Sequence, residues 1–169
     1  MEFERLLSPE GPWLHQLVAS ESDLCDLAVR LDGPSHPGVT CRTVRGSKAR
    51  STQGLFDEFA AALQFPCYFG ENWNAFDECL ADLEWLPGDA HILLISNAVH
   101  VLEDEPPGSF VDFLELVERV ARERNEARPG DAGGQGPKPF HVVLHADPTD
   151  EPALERKLEA AGVLYDLLH

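Results

Sequence analysis

The chain has 169 residues, 43% of them hydrophobic, and a formal net charge of −17 from 30 acidic and 13 basic side chains. That length suits one domain with an extra segment, and the apolar fraction is enough to build a core. A charge so negative excludes nucleic acid and anionic membrane as partners, since both repel it. No apolar run approaches the roughly 18 residues that a membrane span requires.

The first residues, Met1-Glu2-Phe3-Glu4-Arg5, lack the basic-then-apolar order of a secretory leader, so a cytoplasmic location is expected. Residues 12–18 read as a short strand, because Ser20 with Asp23 forms an N-cap signature that closes off what precedes it. A helix then runs over residues 21–31, and the Gly/Pro-rich residues 32–38 form a linker. Residues 39–44 are rich in β-branched side chains and read as a strand. Ser51 or Thr52 caps a helix with Leu55, Phe56, Phe59, Ala62 and Leu63 at helical spacing, which Pro66 ends.

Asn72 caps the next helix, expected to reach Leu83. Residues 91–96 are a near-continuous apolar run, as in a strand covered on both faces. Ser109 is the expected cap of a long helix to about Arg124, and residues 128–139 are too rich in Gly and Pro for regular structure. Residues 140–145 form the last core strand. Thr149 or Asp150 starts a final helix ending near Gly162, which leaves residues 163–168 as an apolar tail. Strands alternating with helices imply a parallel α/β sheet.

Chemical motifs are scarce. The chain has no Asp-x-Asp, no Gly-x-Gly-x-x-Gly, no phosphate-binding loop and no Gly-x-Ser-x-Gly. Cys25, Cys41, Cys67 and Cys79 include no Cys-x-x-Cys pair, which argues against a zinc knuckle; their apolar neighbours point to reduced, buried thiols. His141 and His145 share a strand face but lie two pleats apart, a poor spacing for one metal, and His91 and His100 have no ligand at a telling distance. No metal and no cofactor are expected.

The informative stretch is Tyr68 to Leu83. On its helix, Phe76, Cys79, Leu80 and Leu83 form the core stripe at i, i+3, i+4 and i+7. Asn74, Glu78 and Asp82 form one ridge facing away from it, with Asp77 beside it and Ala81 on the same outer surface. No lysine stands at i+4 to these acids, so the ridge repels itself by a few tenths of a kcal/mol. Residues 51–118 contain no Lys or Arg at all, so this side of the fold projects a negative potential that speeds encounter with a cationic partner. Ahead of the ridge, Tyr68, Phe69 and Trp73 crowd aromatic surface together, and Gly70 permits close approach or a positive φ. Phe69 and Trp73 are open to two readings, ordinary core or interface anchors.

This segment resembles the barstar family, the intracellular inhibitors of barnase-type ribonucleases. The pattern Tyr-aromatic-Gly-x-Asn-x-x-Ala-x-x-x-Cys-Leu runs from Tyr68 to Leu80, and the similarity extends over residues 42–83 and through the later strand, helix and strand. The resemblance implies a small parallel sheet of three core strands packed with helices. Residues 1–38 are then an N-terminal strand-helix extension with its linker, and residues 39–169 a barstar-like domain that ends in an additional helix. It implies a protein inhibitor, not an enzyme, monomeric when free, whose partner is a basic, extracellular-type ribonuclease. The expected partner-binding residues are Tyr68, Phe69, Gly70, Asn72, Trp73, Asn74, Asp77, Glu78, Ala81 and Asp82, with Glu115 or Glu118 as the contributing glutamate of the later helix. Three positions depart from the family. Asn74 replaces an aspartate, Glu78 replaces the aspartate that enters the nuclease site, and Asp77 replaces a tryptophan. Two other readings compete: an immunity or interaction protein for a different toxin, and a metal-dependent enzyme built on the acidic clusters.

Overall fold

The computed structural model describes residues 3–127 and 136–169. Most of the connector at 128–139 therefore lies outside the described residues. Among the described residues five strands and five α-helices follow one another, with α2 and α3 both between β2 and β3: β1 (Leu14–Val18), α1 (Glu21–Leu31), β2 (Val39–Arg45), α2 (Thr52–Leu63), α3 (Trp73–Asp82), β3 (Ala90–Ser96), α4 (Pro107–Asn125), β4 (Phe140–Ala146), α5 (Glu151–Ala161) and β5 (Tyr165–Leu168). A 3-10 turn at Phe3–Leu7 precedes β1.

The strands form one sheet of order β2-β3-β4-β1-β5, parallel throughout. β3 and β4 are buried along nearly their whole length, which explains their unbroken apolar sequence. Helices cover both faces. On one, α2 to α5 pack Phe59, Phe76, Phe113 and Leu158 against Val44, Leu93, Ile95, Val142 and Leu144. On the other, α1 and the 3-10 turn pack Leu24, Leu27, Leu31, Phe3 and Leu6 against Ile92, Leu94 and Val143.

The local signals explain most boundaries. Ser20 accepts from Asp23 N–H and the Asp23 carboxylate returns to Ser20, closing the expected capping box. Ser51 caps α2 through Gly54 N–H, and Asn72 caps α3 through Ala75 N–H. Three expectations differ. The apolar tail is a strand, β5, paired with β1, so the three core strands β2, β3 and β4 and the strand of the N-terminal extension are joined by a fifth. Ser109 does not cap α4; the helix begins at Pro107, where the missing N–H costs nothing and the fixed φ suits a first turn. All four cysteines are free, but only Cys41 and Cys79 are buried. Cys25 stands one residue round from the Leu24 stripe of α1, and Cys67 lies in the loop after α2; both are exposed.

Candidate functional site

The loop between α2 and α3 rests on an aromatic cluster. Phe69 meets Phe56 and Phe65 edge-on at 5.7 and 5.0 Å between centroids, and Trp73 meets Phe56 and Phe76 at 5.1 and 5.6 Å. Both rings are half-buried, so they support the loop from beneath. Tyr68 is the ring turned outward, 74% exposed.

Asn72 holds the turn at both ends, accepting from Ala75 N–H at 2.9 Å and donating from Nδ2 to the Gly70 carbonyl at 3.2 Å. A Cβ on Gly70 would lie 3.1 Å from that same Nδ2, so close approach is what favours glycine here. The positive φ falls on Glu71 instead, at 50°. Its carboxylate accepts from Gln53 Nε2 at 2.8 Å, and the same amide donates to Asp57 at 2.9 Å, which ties the loop to α2.

On α3 the core stripe Phe76, Cys79, Leu80 is buried, with Leu83 just beyond the last turn, and the outward ridge holds. Asn74, Glu78, Ala81 and Asp82 are exposed. Glu78 makes no hydrogen bond or ion pair among the described residues. Burial, then the Asp82 and Glu78 carboxylates, raise the pKa of the Cys79 thiol, an internal report of the negative field here.

Asp77 differs from its neighbours. Arg119 of α4 donates from Nη2 to its carboxylate at 2.5 Å, and Nη1 reaches Glu123 at 3.4 Å. The ridge is thus uncompensated within its own helix but partly compensated from the next one. Of the two later glutamates, Glu118 is paired with Arg122 at 3.1 Å, while Glu115 is exposed and unpaired among the described residues.

Sequence reasoning missed Gln53, Arg119 and Arg124. The last donates to the carbonyls of Ala81 and Asp82 at 3.1 and 3.0 Å. Its signal was available: Arg124 falls on the apolar stripe Phe113, Val117, Val120, Ala121, where a cation must serve a buried partner.

In open α/β sheets ligands bind where neighbouring strands send their connections in opposite directions. That place here, between the ends of β1 and β4, is filled by the chain itself. Asn97 donates its backbone N–H to His145 Nδ1 at 3.2 Å and its amide to Glu21 at 2.6 Å, and His145 Nε2 donates to Ala19 O at 2.9 Å. Glu21 and Asp23 in the first turn of α1, which follows β1, repel phosphate from that helix end. Among the described residues no three His, Cys, Asp or Glu side chains are grouped to hold a metal ion.

A model of the family described as Barstar (barnase inhibitor) matches residues 39–145, which is β2 through β4 with α2, α3 and α4 between them. The chain belongs to the barstar family. Members of that family are inhibitors rather than enzymes, and their partner is a ribonuclease. β1 and α1 precede the matched region, and α5 and β5 follow it. A comparison with curated proteins finds no match.

Solved structures share the fold across nearly the whole chain. Cdc6p from Pyrobaculum aerophilum is 13% identical with a TM-score of 0.58, over 98% of this chain and 41% of its own. The Aeropyrum pernix ORC2 protein, solved as ADPNP-ADP complexes, is 13% identical with a TM-score of 0.59, over 98% and 44%. A chain of Drosophila ORC bound to AT-rich DNA and Cdc6 is 16% identical with a TM-score of 0.51, over 97% and 50%. The chain spans half or less of each of these proteins, and the likeness is one of fold.

Proposed function

We propose that this chain inhibits a basic, barnase-type ribonuclease by presenting α3 and the 68–72 loop to its active site. A ribonuclease must bind phosphate, so its site is lined with Arg, Lys and His. The observation that carries the reading is Glu78. It is exposed, unpaired among the described residues, and mounted on a helix whose other face is locked in the core. A carboxylate so held can take the place of a phosphate among cationic donors without ordering itself on arrival. Tyr68, on the loop that leads into α3, is the exposed aromatic contact. Asp82 adds charge at the rim, and Gly70, Asn72 and Trp73 fix the loop.

The test is inhibition of RNA cleavage by a barnase-type ribonuclease, comparing wild type with Glu78→Ala. Wild type should protect RNA, and the variant should dissociate faster by several kcal/mol in order of magnitude, with its circular dichroism unchanged. Equal protection by both proteins would sink the role of Glu78, and no protection by either would sink the reading.

One observation favours a second reading, an immunity protein for another toxin. Arg119 places a guanidinium beside Asp77, within the acidic surface. A wholly cationic pocket would be repelled there, whereas a partner with an acidic group at that point would not. Co-purification with a toxin that does not cleave RNA would establish it.

A further inference from the structure

The C-terminal half of α3 carries Glu78 and Asp82 at i and i+4, and the last turn of the helix holds no basic residue. Like charges at that spacing repel, and carboxylates near a helix C-terminus oppose its dipole. Both effects favour fraying of the turn that presents the ridge.

Beneath that turn lies the guanidinium of Arg124, from the last turn of α4. Nη1 donates to the carbonyls of Ala81 and Asp82, at 3.1 and 3.0 Å, and Nη2 donates to His91 Nδ1 at 2.8 Å. His91 is held ready to accept because its other nitrogen donates to the Pro87 carbonyl at 3.0 Å. The guanidinium carbon lies 5.3 Å from the centre of the Phe140 ring. Arg124 is only 9% exposed, and none of its hydrogen-bond partners is a carboxylate. Burial draws its pKa down to about 10, and its Nε is buried without a partner.

A cation buried in this way is unfavourable on its own account, and Val120 and Ala121 on the same stripe show what packing alone would select. What the guanidinium satisfies is the end of α3. It fills two of the orphan carbonyls there, those of Ala81 and Asp82, and sets a positive charge against the negative pole of the helix.

We propose that Arg124 is a positioning residue, locking the C-terminal turn of α3 from below so that Glu78 and Asp82 meet a partner in fixed geometry. The partner half of this rests on the inhibitor reading above; the lock itself does not. The test compares Arg124→Met and Arg124→Lys with Leu158→Ala, a control that loses core volume in α5, where Leu158 is fully buried. In Arg124→Met, amide exchange at residues 80–83 should rise about tenfold more than in β4, the size of one lost charged hydrogen bond at ~1.4 kcal/mol. Arg124→Lys should recover part of the thermal midpoint yet leave residues 80–83 fast, because an ammonium cannot span the α3 carbonyls and His91 together. Dissociation from a barnase-type ribonuclease should be about tenfold faster than for Leu158→Ala at a matched midpoint. Exchange at 80–83 rising only in step with β4 overturns the lock. A dissociation rate equal to the control's, with the turn loosened, overturns its bearing on binding. If wild type binds no ribonuclease, the inhibitor reading falls and the exchange data alone decide the lock.

Discussion

Asp77 and Glu78 are neighbours in sequence and opposites in environment. Periodicity places both on the outside of α3, and that much was legible from i, i+3 and i+4 spacing. The difference between them comes from Arg119, 42 residues away, which closes on Asp77 through the packing of α4 on α3. No local pattern reveals such a contact, because it depends on how two helices are rotated against each other. It also gives a handle on the binding surface. Arg119→Ala removes the cation from the acidic face and leaves Asp77 free. Association with a basic ribonuclease should then speed up by a factor of a few at low salt, with a steeper decline as salt is added. Stability should shift little, since Asp77 and Arg119 are 34% and 38% exposed and such pairs contribute weakly. Stopped-flow association over a salt series checks this. A slower rate in the variant would mean that Arg119 itself touches the partner, as the second reading requires.

At the scale of elements, the sequence announces ends better than pairings. Ser20, Ser51 and Asn72 each cap the helix that they signalled, because a cap is a contact over two or three residues. Asn72 does more than cap, since its amide also holds the Gly70 carbonyl. Asn72→Ala should therefore cost about 1 kcal/mol of stability, as a lost cap does, and should weaken binding beyond that by loosening the Tyr68 loop. Asn72→Asp keeps the cap, loses the donor and adds one negative charge, so urea titration and binding of the two variants, both at high salt to screen that charge, separate these effects. If Asn72→Asp binds as wild type does, the amide tie to Gly70 has no part in presenting the loop. β5 was illegible for the opposite reason. It has four residues, with Leu167 49% exposed, and only its pairing with β1 makes it a strand. β1 was legible as a strand from residues 12–18, but its place between β4 and β5 was not, because it is set by contacts with residues over a hundred positions away.

Across the whole molecule, the parallel architecture followed from alternation, but the strand order and the polar groups buried by it did not. Joining β1 to β4 brings His15 and His141 together in the interior, ring nitrogens 2.9 Å apart, with His141 Nε2 on the Ser8 carbonyl at 2.6 Å. Arg5 pairs with Asp166 beside them. Burial first, then His141 and Arg5, lowers the pKa of His15 to about 3. Burial first, then Arg124, lowers that of His91 to about 4, and burial lowers that of His141. Unfolded, each titrates near 6.5. The unfolded chain thus binds more protons than the folded one below that value, so stability is fully present above about pH 6.5 and declines as the pH falls. His15 and His91 each contribute about 1.4 kcal/mol per pH unit, or roughly 2 kcal/mol between pH 6.5 and pH 5, and His141 acts in the same direction. Glu58, held low by its Arg45 hydrogen bond, loses its contribution only below its ordinary value of 4.5. Urea unfolding at about pH 7.5 and about pH 5 should show the loss. His15→Gln should be less stable at the higher pH and show a flatter decline between the two, because one titrating site is gone. An unchanged slope in that variant would mean that the pair under the N-terminal turn is not held neutral in the folded protein.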